Sequence, residues 1–211
     1  MTIKAQETHR MANIALVGMT GNIGSRILNE ALARGHRVTG TTRGMADPPE
    51  RDGVTVATVH PADAATLAAV LRSHDVVVVS LKWDVNDIDA MIEAIRKSGV
   101  RRALIVVGAG SLRRADGRLH FDHMPTPSPS SKPAMIALEK LRRVDDFNWT
   151  AISPPTSIKP GVRTGNYRVG TDTMVVDTAD NGHISREDFA VAILDEIENP
   201  KHVGRRFTVG Y

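Results

Sequence analysis

The chain predicts an α/β fold in which a parallel sheet carries helices on both faces. Short apolar runs alternate with helical repeats through the first half. Those runs lack the polar alternation of a half-exposed strand, as expected when both faces of a sheet are covered. A glycine-rich turn joins the first run to the first repeat.

The elements follow in order. Asn13-Ile-Ala-Leu-Val17 reads as a buried strand. In the next stretch, Ile23, Ile27, Leu28, Ala31 and Leu32 share one helical face, and Gly35 stands where a helix C-cap glycine belongs. Residues 36–42 and 54–59 are the second and third strands, and Leu67, Val70 and Leu71 align on a second helix. Residues 76–80 form a β-branched run, the fourth strand. Val85, Ile88, Met91, Ile92 and Ile95 repeat at helical spacing, and 103–107 is a fifth apolar strand. The second half is less regular. Residues 112–133, rich in Pro, Ser, Arg and His, read as a long loop, the kind that serves as a lid or is disordered. A helix over 134–143 and a strand over 149–153 follow, stopped by Pro154-Pro155. After a polar stretch at 156–182, Ser185 and Asp188 form the start signal of a helix carrying Phe189, Val191, Ile193, Leu194 and Ile197. Residues 206–209 make a last strand. The expectation is one domain over 1–211, with 1–11 flexible and 154–183 on the substrate side.

Composition narrows the function classes. The chain has 211 residues, 41% apolar and 24% charged, an ordinary globular mixture. No apolar run approaches the ~20 residues needed to cross a bilayer, and residues 1–11 are too polar for a secretory signal. The absence of cysteine excludes disulfides, thiolate catalysis and cysteine-ligated metals. A net charge of +3 and 4% aromatic residues argue against nucleic-acid binding. A cytoplasmic protein acting on a small molecule, away from membranes and nucleic acid and compatible with a homo-oligomer, is expected.

Gly18-Met-Thr-Gly21-Asn-Ile-Gly24 carries the strongest chemical signal. Gly18 would permit a tight turn, Gly21 would let phosphate approach the backbone, and Gly24 would let helix pack closely on strand. Free N–H groups at the helix start, with Thr20, Asn22 and Ile23 around them, would face a pyrophosphate. The spacing is G-x-x-G-x-x-G rather than G-x-G-x-x-G, and the alternative is a strand–helix turn that tolerates glycine. Where an NAD site usually offers an acid at the end of the second strand, this chain offers Thr42-Arg43. Arg43 would pair with a 2′-phosphate, favouring NADP over NAD; the alternative is a solvent-exposed arginine.

Further segments give the pattern a family likeness: Val107-Gly-Ala-Gly-Ser-Leu112, Asn148-Trp-Thr-Ala-Ile-Ser-Pro154, Pro160-Gly-Val-Arg-Thr-Gly-Asn-Tyr167, Ile184-Ser-Arg-Glu-Asp-Phe-Ala190 and Arg206-Phe-Thr-Val-Gly-Tyr211. Together with the glycine turn they resemble the atypical short-chain dehydrogenases, in particular the NADH-flavin reductase branch related to NmrA-like and flavin/biliverdin reductase proteins. The resemblance runs from Asn13 to Tyr211. It implies a Rossmann-type doubly wound parallel sheet with a small C-terminal substrate-side region. It also implies an NAD(P)H-dependent oxidoreductase that passes hydride to a flavin, quinone or similar acceptor; the alternative is an NmrA-like NADP-binding redox sensor without turnover. Two departures stand out. Neither Tyr167 nor Tyr211 has a lysine four residues later, so the Tyr-x-x-x-Lys acid/base pair of alcohol-oxidising and epimerising relatives is missing. His60-Pro61 stands where relatives often place an aspartate near the adenine, and Asp63 reads as a helix N-cap.

Ligands bind at the carboxyl ends of parallel strands. These ends supply Ser80-Leu81-Lys82, Ala109-Gly110-Ser111 and Ser153-Pro154 around the nicotinamide region. Ser111 matches the serine of the short-chain dehydrogenases and would orient the carboxamide or bond a substrate carbonyl; the alternative is a turn serine capping its own backbone. His120 and His123 carry imidazoles, a group whose acidity suits proton donation, His123 being the one assigned a catalytic role here; the alternative is a pair of exposed loop histidines. A metal site is not expected. Trp83 and Trp149 read as packing residues.

Overall fold

The computed structural model describes residues 11–44 and 51–211. The expected flexibility of the N-terminal segment therefore concerns, for residues 1–10, positions outside the described residues. An eight-stranded sheet runs through the molecule. Its strands are β1 (Asn13–Val17), β2 (Arg37–Thr42), β3 (Val54–Thr58), β4 (Val76–Val79), β5 (Arg102–Val106), β6 (Asn148–Ser153), β8 (Arg168–Gly170) and β10 (Arg205–Gly210). The spatial order is β3-β2-β1-β4-β5-β6-β10-β8. All neighbours pair in parallel except β8, which runs antiparallel on the edge of β10. Two short strands, β7 (Ser157–Lys159) and β9 (His183–Ser185), pair with each other beyond the end of β6.

The apolar runs are strands because each side chain finds a helix on one face or the other. On one face, α2 (Ala64–Leu71), α3 (Ile88–Ser98) and α4 (Ser131–Leu141) cover Val17, Val77, Val79, Ile105 and Ala151. On the other, α1 (Gly24–Ala33) and α5 (Arg186–Glu198) cover Leu16, Val78, Leu104, Ile152 and Phe207. Val76–Val79 is buried residue by residue, so a run without polar alternation marks a central strand. The order 3-2-1-4-5-6 is the doubly wound Rossmann topology expected from the sequence. Its connections reverse direction between β1 and β4, where such sheets open a ligand crevice.

Three boundaries differ from expectation. The helix predicted over 134–143 starts at Ser131. Pro133 sits in its first turn, where a missing N–H costs nothing because those donors have no intrahelical acceptor. Val85 precedes its helix: Asp87 caps α3 by accepting from the Asp89 N–H, which leaves Val85 exposed in the preceding turn. The polar stretch at 156–182, with no strand expected in it, contains β7 and β8. Each has only three residues, too short for a periodic signal. The expected caps are present, with Asp63 accepting from the Thr66 N–H and Ser185 Oγ from the Asp188 N–H.

Candidate functional site

The turn between β1 and α1 is shaped by two close approaches. Gly18 has φ +90°, and a methyl there would overlap the Ser80 carbonyl oxygen at the end of β4. A methyl on Gly24 would overlap the Gly18 carbonyl oxygen. Both glycines are thus needed by the fold itself: one brings β1 against β4, the other folds the turn onto the helix start. Gly21 is different. A methyl there would come no closer to protein than 3.3 Å, to the Gly18 carbonyl oxygen, and would otherwise project into open space. The N–H groups of Asn22 and Ile23 donate to no described acceptor. A bare backbone with free donors at the start of a helix suits a phosphate, so these residues fit a dinucleotide.

A crevice runs along the strand ends on both sides of this turn. Its first part, about 200 Å³, is lined by Gly18, Thr20, Gly21, Thr41, Thr42, Arg43, Val59, Pro61, Ser80, Leu81, Lys82, Val85 and Asn86. Its second part, about 450 Å³, shares Gly21, Ser80, Leu81 and Lys82 with the first. It continues past Asn22, Ile23, Trp83, the 106–110 turn, Met124, Ser128, Ser130 and Ser131 to Pro154, Pro155, Thr156, Ile158 and Arg186. Among the described residues no carboxylate lines either part. Arg43, Lys82 and Arg186 do, and none of them makes an ion pair with a described residue. The walls are held from behind. The Trp83 indole N–H donates to the Val106 carbonyl at 2.9 Å, and the Ser130 hydroxyl donates to Asp84 at 2.5 Å, tying the start of α4 to the turn after β4. That bond holds the Asp84 carboxyl below the usual carboxylate range.

Of the residues named from sequence, Gly18, Thr20, Gly21, Asn22, Ile23, Thr42, Arg43, Ser80, Leu81, Ala109 and Pro154 come together on the crevice walls. Gly24 lies behind them. Ser111 and His123, named as catalytic, do not line it. The Ser111 hydroxyl accepts from Arg206 Nη1 at 2.8 Å, and Arg206 is itself buried and bound to Asp172. One residue past the crevice-lining Gly110, the short helical turn Ala109–Ser111 carries Ser111 towards β10. His123 Nε2 lies 3.1 Å from Asp116 within its own loop. His120 is the more internal of the two histidines, 7% exposed, with Nε2 3.3 Å from Thr156 Oγ1. Burial, and then the positive charge of Arg114 and His123, hold its pKa below the ordinary imidazole value. His60 stays off the walls, its Nδ1 accepting from the Ala62 N–H, while Pro61 lines the crevice.

Both tyrosines are engaged elsewhere. The Tyr167 hydroxyl donates to Asp195, and burial followed by that carboxylate raises its pKa above the ordinary phenol value. The Tyr211 hydroxyl donates to Asp188 at 2.6 Å. Sequence reasoning missed Arg186 and Thr156, and missed the serines at the start of α4. A Ser-Pro-Ser-Ser run ahead of a helix was the available signal for the serines; nothing local marks Arg186 or Thr156. Among the described residues no cluster of His, Asp and Glu has the geometry of a metal site, and no helix is long and apolar enough to cross a membrane.

Comparison with known proteins agrees with this geometry. The chain is 33% identical to the uncharacterized protein YwnB of Bacillus subtilis, over 93% of this chain and 97% of that one. A solved structure provisionally named an epimerase, from Bacteroides thetaiotaomicron, is 37% identical. It superposes with a TM-score of 0.89 over 96% of this chain and 98% of its own. SP1627 of Streptococcus pneumoniae, provisionally an NADH-flavin reductase, is 25% identical with a TM-score of 0.80, over 94% and 99%. The NAD(P)H-binding family model matches residues 18–200, from the first glycine of the turn to the end of α5. A glycine turn at the switch point of a 3-2-1-4-5-6 sheet, within so long a match, makes this chain a member of the NAD(P)H-binding family of Rossmann-fold proteins.

Proposed function

We propose that the protein is an NADPH-dependent reductase that passes hydride to a flavin, quinone or similar conjugated acceptor. One observation carries the reading: the crevice extends well past the glycine turn into a second chamber that, among the described residues, is lined by neither carboxylates nor tyrosines. The first chamber suits the adenosine half of a dinucleotide, with Arg43 at the ribose, and the free N–H groups of Asn22 and Ile23, where the second chamber begins, suit the pyrophosphate. An acid at the end of β2 would repel a 2′-phosphate, and Thr42-Arg43 takes its place. The turn at 107–110 and Pro154 then flank the space for the nicotinamide.

A bound nicotinamide supplies the hydride; the chain's own task is to hold two rings face to face and dry. Trp83, Met124, Pro155 and Ile158 offer flat apolar walls for the acceptor. Epimerases and alcohol dehydrogenases of this fold need a tyrosine at the reacting carbon, whereas both tyrosines here are tied to α5 carboxylates. The second reading, an NADP-binding redox sensor, is favoured by Ser111, whose hydroxyl is engaged by Arg206 instead of facing the crevice.

Absorbance of NADPH at fixed protein concentration, with FMN, FAD or menadione added, tests the proposal. Acceptor-dependent oxidation is the expected result. Tight NADPH binding without turnover across all three would move the reading to the sensor.

A further inference from the structure

We propose that Thr156 donates the hydrogen bond to the acceptor atom that gains negative charge, and that buried His120 behind it holds the hydroxyl in the donating sense. This rests on the reductase reading and names a group within its second chamber. The crevice wall ends at Thr156, three residues beyond the end of β6. Its Oγ1 lies 3.3 Å from His120 Nε2 and 3.2 Å from Met174 Sδ. His120 is fixed from its own backbone, since its N–H donates to the Leu112 carbonyl at 2.7 Å. The ring is buried, and its Nδ1 has no hydrogen-bond partner among the described residues.

That unpartnered nitrogen decides the direction of the bond. The charges of Arg114, which is ion-paired with Asp180, and of His123, which is bonded to Asp116, act on the ring. With burial they favour the neutral imidazole. A neutral imidazole carries one N–H. Placed on Nδ1, that proton would be a buried donor without an acceptor, the rarer and costlier kind of orphan. Placed on Nε2, it donates to Thr156 Oγ1 and leaves only a lone pair unmatched. Thr156 then accepts from His120, and its own proton is free to point elsewhere. The alternative taker in the protein is the Met174 thioether, a weak acceptor. An oxygen or ring nitrogen in the crevice that becomes anionic outcompetes it, because hydrogen bonds to charged acceptors are the stronger ones.

The reaction balances without a proton from the protein. Hydride leaves C4 of the reduced nicotinamide with the C–H electron pair and bonds to the acceptor, so the nicotinamide is oxidised and the acceptor reduced. Negative charge appears on a carbonyl oxygen or ring nitrogen, where the Thr156 hydroxyl stabilises it until water supplies the proton. Thr156 is thus a residue touching the acceptor, and His120 a positioning residue acting through it. Conjugated carbonyl and imine acceptors, such as quinones and isoalloxazines, are the class such a donor serves.

The test uses the full chain with NADPH and menadione, with NADPH affinity measured in parallel. Thr156→Val should lower kcat about 30-fold with NADPH affinity unchanged, and Thr156→Ser should stay within about threefold of the unmodified protein. His120→Phe should match Thr156→Val, His120→Gln, which keeps an N–H donor, should recover most of the rate, and the double variant should be no slower than Thr156→Val alone. Independently of activity, long-range 1H–15N spectra at pH 7 should read His120 as the Nε2–H tautomer. A Thr156→Val rate equal to the unmodified one, losses that multiply in the double variant, or an Nδ1–H tautomer would each overturn the inference while leaving the reductase standing. Failure of the unmodified, NADPH-binding protein to reduce either menadione or FMN would remove the reductase reading and this inference with it.

Discussion

The two halves of the crevice are built by opposite means. The dinucleotide half stands on β1, β2 and β4, whose apolar runs pair in register and bring their carboxyl ends to one line. Backbone geometry does most of its work, through a left-handed glycine and a second glycine that lets helix meet strand. The second half, proposed to take the acceptor, is assembled from turns after β5 and β6, from the start of α4 and from a segment that leaves β6 and returns at β9. Side chains hold it, many of them charged. Arg163 pairs with Glu30 on α1, and the Tyr167 hydroxyl donates to Asp195 on α5. Asp188, fully buried, accepts from the Thr164 N–H and hydroxyl, the Gly165 N–H and Tyr211. A scaffold made of backbone hydrogen bonds positions the glycine-turn half, and side-chain fastenings position the half proposed to take the acceptor.

The largest effect is expected at Gly21. Gly21→Asp should abolish measurable NADPH binding by titration calorimetry while lowering the melting temperature by no more than about 5 °C, since the new Cβ meets the Gly18 carbonyl oxygen at 3.3 Å without overlapping it, and the carboxylate meets phosphate in the complex. Retained affinity would mean that phosphate binds elsewhere.

Asp188 sharpens the other half. Asp188→Ala removes the acceptor shared by the Thr164 N–H and hydroxyl, the Gly165 N–H and the Tyr211 hydroxyl, and should cost on the order of 3 kcal/mol, about 10 °C in Tm, with NADPH affinity reduced far less. Burial pushes the Asp188 carboxyl up, but the hydrogen bonds from Thr164, Tyr211 and the 164–165 backbone outweigh it and hold it below the usual carboxylate range. A lowered folded pKa stabilises the protein above the unfolded value, about 3.9, and that contribution disappears as pH falls through the folded one. The Tm gap between Asp188→Ala and the unmodified chain should therefore narrow below about pH 4. A gap independent of pH would show that packing, and not the carboxylate, holds the segment.

Arg43 gives the smallest effect. Arg43→Ala should weaken NADPH by about 1.5–3 kcal/mol and leave NADH almost unchanged. Equal losses for both cofactors, or none, would take the 2′-phosphate away from Arg43.

These two halves were not equally readable in the sequence. Uninterrupted apolar runs such as Val76–Val79 and helical repeats such as Ile88–Ile95 announce a covered parallel sheet, and the right-handed crossover rule limits how its strands connect, while their order comes with the family likeness. The glycine turn could be placed because its residues are contiguous. The acceptor half is non-local: Thr156 meets His120 across 36 residues, and Ser111 meets Arg206 across 95. Ser111 and His123 are reasonable choices from local sequence, yet the turn after β5 and a neighbouring carboxylate direct them to other partners. The Ser185/Asp188 pair shows the same limit. Its serine caps α5 as the spacing predicts, while its aspartate turns away to fasten residues 164–165 and Tyr211. Spacing reports what a residue does for its own helix and is silent on what it does for a distant loop.

Hydrogen exchange read peptide by peptide tests the division of the crevice most directly. NADPH alone should slow exchange at Gly18–Gly24, at 41–44 and at 80–82, and adding menadione or FMN to the NADP⁺ complex should extend protection to 124–131 and 154–158. Protection appearing instead around the separate cavity between α5 and β10, lined by Arg34, Tyr167, Asp195 and His202, would contradict the account.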